Sequence, residues 1–426
     1  MSGGNFPARE EIAAQQLEQL QSLVTELFPA NPFYTKKLTA LGLTFDIASL
    51  EDFSARFPFT TKQELVEDQN QNPPFGTNLT YPIERYSRLH QTSGTSGAPL
   101  RWLDTPESWD WMLENWTKIF SAAGVQGGDK IYFAFSFGPF IGFWLAFESA
   151  AKLGCLCLPG GGLSSAARVR DIIELGATVI CCTPTYALRL AEVAAQEKID
   201  LKKSRVQTII VAGEPGGSVP AIRSRIEKLW PGARVFDHHG MTEVGPVTFE
   251  CPSRPGILHV IEQAYYAEIV EPASGAPVHE AETGELVLTT LGRTGSPLLR
   301  YRTGDLVKRG TCTCGHREIA LEGGILGRTD DMIVVRGVNI YPGAVEEIIR
   351  SAGGVAEYEV RVRTEKSLTE LELKIEPEAN CSDDSGLAKK LEQAFQKSLA
   401  LRIAVKSVAP GTLPRFEMKA KRWVRA

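Results

Sequence analysis

This chain of 426 residues has no apolar run long enough to cross a bilayer. Its most apolar stretch, FIGFWLAFESAAKLGCLCLPGGG, is broken by Glu148 and Lys152 and reads as a buried helix followed by a strand. The first thirty residues lack the basic start and apolar core of an export signal and read as an amphipathic helix, so the expected location is the cytoplasm. A strong excess of one charge is also missing. The net charge is −5, with 43% hydrophobic and 23% charged residues, which excludes a disordered chain and gives no nucleic-acid footprint. Neither nucleic acid nor a membrane is an expected partner. Eight cysteines without an export signal do not make a disulfide framework. Cys155, Cys157, Cys181 and Cys182 lie in apolar strand-like runs, as small core residues do. Internal repeats and low-complexity tracts are absent. One local bias remains: from Ser385 to Ala426 there are ten Lys or Arg against two Glu, for which a solvated face is the default reading.

The length implies at least two domains. Between residues 130 and 237, β-rich runs (KIYFAFSF, CLCLP, TVICCTP, VQTIIVAGEP, ARVF) alternate with helical patterns near 141 to 153, 164 to 175 and 185 to 196. That alternation predicts parallel strands joined by crossover helices, with ligands near the carboxyl ends of the strands. From about 255 to 310, strands punctuated by Gly and Pro predict a smaller antiparallel sheet or barrel. After GRTDD the pattern changes again, to the strand MIVVRG, a helix from YPGAVEEIIRS, strands near 357 and 370, a helix near 386 to 400 and the strand IAVKSV.

The stretch HQTSGTSGAPLRWLDT concentrates small and hydroxyl residues at Thr92, Ser93, Gly94, Thr95, Ser96 and Gly97. Such residues let backbone N–H groups and hydroxyls approach an anion closely, so the stretch reads as a phosphate cradle. A flexible linker can have the same composition. No lysine follows Gly97, which excludes the Walker loop.

TSGTSGAP, HHGMTEVG, YRTGDL, GRTDDMIVVRGVNIYP and LPRFEMKAKR occur in that order from residue 90 to 422, and together they resemble the motif series of adenylate-forming acyl-CoA synthetases. The histidine before the Gly-rich loop, CTPTYAL, ECP, CTC and RGVNIYP are similar to the phenylacetate-CoA ligase family, and the similarity spans nearly the whole chain. The resemblance implies an α/β fold. Residues 1–328 would form a large domain of mostly parallel sheets plus a small antiparallel or barrel region, and residues 329–426 a small mobile α+β domain. It implies that ATP, Mg²⁺ and an aryl carboxylic acid give an acyl-adenylate and pyrophosphate, after which coenzyme A takes the acyl group and AMP leaves. Two alternatives stay open: an adenylate-forming enzyme with another acceptor, and a nucleotide-binding relative without catalysis.

The resemblance also assigns roles. The six residues from Thr92 to Gly97 would wrap the β- and γ-phosphates. Glu243, beside Thr242, would help hold Mg²⁺, which takes oxygen ligands; a helix N-terminal charge is its alternative. Asp305 would grip the ribose hydroxyls and Arg328 a phosphate. Ala212, Gly213, Glu214 and Pro215, with Asp237, His238, His239, Gly240 and Met241, would line the nucleotide pocket. Asp330 takes the hinge position, Gly337 lines the pantetheine path, and Lys419 meets the substrate carboxylate and α-phosphate. Met418 departs from the family pattern, in which Gly commonly precedes this lysine. Phe135, Phe140 and Tyr186 are candidates for the acyl pocket, although a plain core accounts for most of the aromatics here. Cys251, His259, Cys312 and Cys314 match places where similar cysteines and histidine recur in the family and would hold a structural Zn²⁺, with His316 as an alternative ligand and ordinary thiols as the alternative reading. A homodimer is the family-level expectation.

Overall fold

The computed structural model describes residues 6–92, 99–335, 338–365, 368–378, 381, 383–416 and 420–425. Its central layer is a parallel sheet with strands in the order Leu156–Pro159, Lys130–Phe133, Val179–Cys182, Thr208–Val211 and Arg234–Asp237. Alternate side chains of a strand leave opposite faces of a sheet. Ile131, Phe133, Cys181, Ile210 and Phe236 accordingly enter one core, and Tyr132, Ile180, Cys182, Ile209 and Val235 another. Both faces are dry, which is why these strands read as continuous apolar runs. The thiols of Cys181 and Cys182 are buried and their pKa values pushed up by that burial, as befits core residues.

Helices Ser165–Glu174, Pro184–Gln196 and Pro220–Leu229 cover the second core with Val169, Ile172, Leu190, Ile222 and Ile226. Helices Pro106–Ala122 and Trp144–Lys152 cover the first. In Pro106–Ala122, Trp109, Met112, Trp116 and Phe120 recur on one face at helical spacing. Helices Pro106–Ala122 and Pro184–Gln196 both start with a Thr side chain capping the N3 amide and a Pro at the first position.

The antiparallel sheet runs in the order Thr248–Glu250, Ile257–Val260, Ala320–Arg328, Tyr301–Gly310, Thr283–Thr290 and Tyr265–Val270. Register shifts at Glu285/Val287, Leu306/Val307 and Val307/Arg309 curl it into a half-barrel. It is wider than the stretch from 255 to 310 suggests, because the glycine-rich strand Ala320–Arg328 passes through its middle. Ahead of the sheets, the helices Arg9–Leu27, Pro32–Ala40 and Leu50–Arg56 pack Leu20, Leu23, Tyr34 and Phe53 against Leu291 and Leu299.

After residue 333 the chain builds a sheet of its own, in the order Ala404–Ser407, Leu368–Pro377, Val355–Glu365 and Trp423–Arg425. Its core of Ile349, Leu373, Ile375, Leu391 and Phe395 is shared with helices Pro342–Ala352 and Asp384–Leu399. The terminal strand Trp423–Arg425 pairs in parallel with Val355–Glu365. Among the described residues no helix is long and apolar enough to cross a membrane.

Candidate active site

Beyond the carboxyl end of strand Arg234–Asp237 the chain reaches the curled sheet, where His239 lies 3.2 Å from Asp305. Strands Arg88–Gln91 and Arg101–Asp104, which flank the Gly-rich stretch in the chain, pair antiparallel. Thr92 extends the pairing: its N–H donates to Leu100 O (2.9 Å) and its Oγ1 accepts from Leu100 N (3.0 Å). Ser93, Gly94, Thr95, Ser96 and Gly97 lie outside the described residues, as do Gly337, Met418 and Lys419.

Register pairs Val211 with Asp237, so Ala212–Pro215 and the loop from His238 leave the sheet side by side. Asp237 is buried, which raises its pKa, and it accepts from Ser218 Oγ and from the amide of His238. Burial pushes His238 down to about 3; neutral, it meets Thr248 O through Nδ1 (2.9 Å) and packs edge-on to Trp116. Gly240 and Met241 pair with Gly245 and Pro246 in a tight hairpin, and the buried Thr242 and Glu243 sit at its tip.

Asp305, on strand Tyr301–Gly310, is 4% exposed. Arg328, its register partner, approaches Oδ1 at 3.1 Å. His239 Nε2 lies 3.2 Å from Oδ2, yet neither of these atoms has a hydrogen-bond partner among the described residues. A buried carboxylate oxygen left without a donor costs about 1–3 kcal/mol. Such an oxygen fits a site waiting for hydroxyl donors. Burial opposes the charge of Arg328, but Asp330 and Asp305 outweigh it and hold the guanidinium protonated. Arg328 Nε donates to Asp330 Oδ1 at 2.8 Å, so the residue expected at the hinge is tied to the phosphate-type arginine.

Three contributors were not apparent in the sequence. Lys62, the first residue of helix Lys62–Gln71, places Nζ 3.4 Å from Glu243 Oε1. A cation at a helix N-terminus opposes the dipole by about 0.3–1 kcal/mol, so this location is not a local preference. Thr60 fixes it by pairing with Tyr301 and bonding to Arg300 and Arg302, and Tyr301 also bonds Glu243. The other two are Asp104 and Arg293, both fully buried. Arg293 grips both Asp104 oxygens at 2.7 Å and donates to the carbonyls of Thr242 and Glu243 at 2.8 Å. No spacing could have linked Lys62 or Arg293 to Glu243, because tertiary structure alone joins them.

The aromatic candidates separate. Phe135 is buried in the first core, 5.1 Å from Phe143, while Phe140 and Phe137 are half-buried beside it. Tyr186 belongs to the second core, across the sheet. Its hydroxyl accepts from Arg168 (2.6 Å) and meets Ser165 (2.9 Å), in a different core from Phe135. The Glu214 carboxylate is engaged by backbone, accepting from Thr185 N (2.8 Å) and Ala420 N (3.0 Å).

At the far edge of the curled sheet, one donor atom each from Cys251, His259, Cys312 and Cys314 lies within 4.8 Å of the others. Cys251 and Cys312 Sγ are 3.6 Å apart, and Cys314 Sγ lies 3.4 Å from His259 Nε2. Zn–S bonds of about 2.3 Å and Zn–N bonds of about 2.0 Å suit such a tetrahedron. His316 stands outside the set, with Nδ1 3.1 Å from Glu318.

Residues 90–292 match the family of AMP-binding enzymes, and residues 337–425 the AMP-binding enzyme C-terminal domain. The phenylacetate-coenzyme A ligase of Thermus thermophilus is 32% identical over 96% of this chain and 95% of that protein. The Escherichia coli enzyme of that name is 32% identical over 97% and 94%. A crystal structure of 2-hydroxyisobutyryl-CoA ligase in the postadenylation state with 2-HIB-AMP is 28% identical and superposes with a TM-score of 0.93, covering all of this chain and 93% of that one. The same ligase in its thioesterification state, with CoA, gives 0.74 over 98% and 90%. Identity over nearly the full length, with the same two-part architecture, places the chain in the phenylacetate-coenzyme A ligase family of AMP-binding enzymes and makes it an acid–thiol ligase.

Proposed function

We propose that this enzyme activates an aryl carboxylic acid with ATP and passes the acyl group to coenzyme A. The reading rests above all on the buried Asp305, whose Oδ1 faces Arg328 and whose Oδ2, 3.2 Å from His239 Nε2, accepts no hydrogen bond among the described residues. A carboxylate resists nucleophiles because its charge repels them; joined to AMP, it carries a good leaving group. Asp305 receives the ribose hydroxyls, and Ala212 to Pro215, with His238 to Met241, flank the base through their backbone. Thr92 to Gly97 donate to the β- and γ-phosphates. Glu243 and the adjacent Thr242 offer the oxygen ligands that Mg²⁺ prefers, and the ion would neutralise phosphate charge there. Lys62 stands where it can share that task. Arg328 meets the phosphate, and Lys419 steadies the charge that develops as the substrate carboxylate attacks the α-phosphorus.

For the second step, residues 329–426 turn relative to 1–328 about Asp330, and Gly337 comes to line the thiol's path. The higher TM-score with the postadenylation state supports the view that the present orientation serves adenylation. Phe137 and Phe140 border the acyl group. We also infer a homodimer acting in the cytoplasm, for which light scattering and cell fractionation are the direct measurements.

The test is a pyrophosphate-release screen with ATP, Mg²⁺ and phenylacetate, benzoate, hydroxybenzoate, cinnamate and fatty acids, each with and without CoA. Turnover of an aryl acid to AMP and a CoA thioester is expected. An adenylate that accumulates despite CoA would point to another acceptor, and silence with ATP still bound would point to a non-catalytic relative.

Cys251, His259, Cys312 and Cys314 would hold Zn²⁺ and pin the curled sheet to the loop before Ala320, so its binding would stabilise the fold. Purified protein is expected to carry one zinc per chain. Stripping it with a chelator, or replacing Cys312 by Ser, should lower Tm by about 5 °C or more. A metal-free protein with unchanged Tm would remove the site.

A further inference from the structure

Glu214 joins two parts of the molecule that belong to different sheets. It follows Gly213, whose φ is 91°, just past strand Thr208–Val211. Its Oε1 accepts from Thr185 N (2.8 Å), one of the N–H groups that helix Pro184–Gln196 cannot satisfy internally. Its Oε2 accepts from Ala420 N (3.0 Å), and Ala420 directly follows Lys419 in the chain. Two further residues of the same C-terminal segment reach the same helix. Arg415 lies 3.3 Å from Glu192, and Arg422 Nη1 lies 3.4 Å from Thr185 Oγ1. Arg422 is itself held from within the C-terminal sheet, by Glu357 at 2.6 and 3.2 Å.

A charge in this half-buried place is costly unless it is used, and burial raises the pKa of Glu214 against the pull of these N–H donors and Arg422. Helix Pro184–Gln196 already has its N-cap in Thr183, which accepts from Tyr186 N, so what the Glu214 carboxylate adds is the link from this helix to Ala420. Because Glu214 and Ala420 lie on opposite sides of residue 329, this contact exists in one relative orientation only.

We propose that Glu214 is a positioning residue that docks the Lys419 segment for adenylation and lets go of it for thioester formation. The proposal rests on the two-step reading above. It makes Glu214 act through Lys419, without touching the reacting atoms.

The test compares Glu214→Ala and Glu214→Gln with the unmodified enzyme in two assays: acid-dependent ATP–pyrophosphate exchange, and AMP release from the acyl-adenylate on adding CoA. Glu214→Ala is expected to lose about 10- to 100-fold in exchange, the worth of hydrogen bonds to a charged group. AMP release should stay within about twofold. Glu214→Gln, which keeps one acceptor oxygen, should fall between. Both assays are run with whichever acid the pyrophosphate-release screen identifies; equal loss in both half-reactions, or loss in neither, overturns the proposal, whereas an unmodified enzyme silent with every acid of the screen sinks the ligase reading instead. Hydrogen exchange tests the contact without turnover. In Glu214→Ala, peptides containing Ala420 should exchange faster while helix Asp384–Leu399 keeps its protection; unchanged exchange at Ala420, or equal loss of protection in the helix, counts against the docking role.

Discussion

Replacing Lys419 by Ala is expected to slow acid-dependent ATP–pyrophosphate exchange about 100- to 1,000-fold, the usual cost of removing one preorganised charge from a transition state. In adenylation two anions approach each other, and the phosphate oxygens carry their greatest charge as the new bond forms. The neutral donors from Thr92 to Gly97 cannot offset that charge at the α-phosphate, and the stretch holds no cation of its own. Arg328 divides its charge between Asp305, Asp330 and the phosphate it is proposed to meet. Lys419 is the remaining cation that the motif order brings to this end of the site. Thioester formation has no such demand, because the adenylate already carries its leaving group. Phenylacetyl-adenylate supplied to Lys419→Ala should therefore react with CoA at close to the normal rate. Equal loss of both steps would make the lysine a structural residue.

Why some of this was legible in the sequence and some was not follows from how each feature is built. The parallel sheet announced itself because strands buried on both faces leave unbroken apolar runs such as TVICCTP and VQTIIVAG. Helix Pro184–Gln196 was visible through its Thr-Pro start and its apolar period. Asp305 and Arg328 could be named from local strings, and the strand register then put them opposite each other. For Tyr186 the sequence shows that an aromatic is near a strand end but not which face of the sheet it takes, and it joins the second core. Lys62 and Arg293 left no local signal. Their partners are far away in the chain, and each works by a contact that exists only once the helices and the curled sheet have packed together.

Arg293→Met is expected to destabilise the protein by about 3–5 kcal/mol, since it strands the fully buried Asp104 without its partner. The guanidinium carbon lies over the Trp102 ring, 5.4 Å from its centroid, and the group uses four hydrogen bonds to join strand Arg101–Asp104 to the loop of Glu243. Stability and activity should separate when the partner is removed as well. Asp104→Leu combined with Arg293→Met leaves no unpaired charge, so it should recover much of the lost stability, as apolar replacements of buried ion pairs often do. It cannot restore the two N–H bonds to the carbonyls of Thr242 and Glu243, and the carboxylate meant for Mg²⁺ then loses its fixed position. The double variant should therefore unfold at nearly the normal denaturant concentration, yet need about tenfold more Mg²⁺ for half-maximal exchange, the worth of the lost hydrogen bonds. Normal Mg²⁺ dependence in a folded double variant would assign the pair to stability alone.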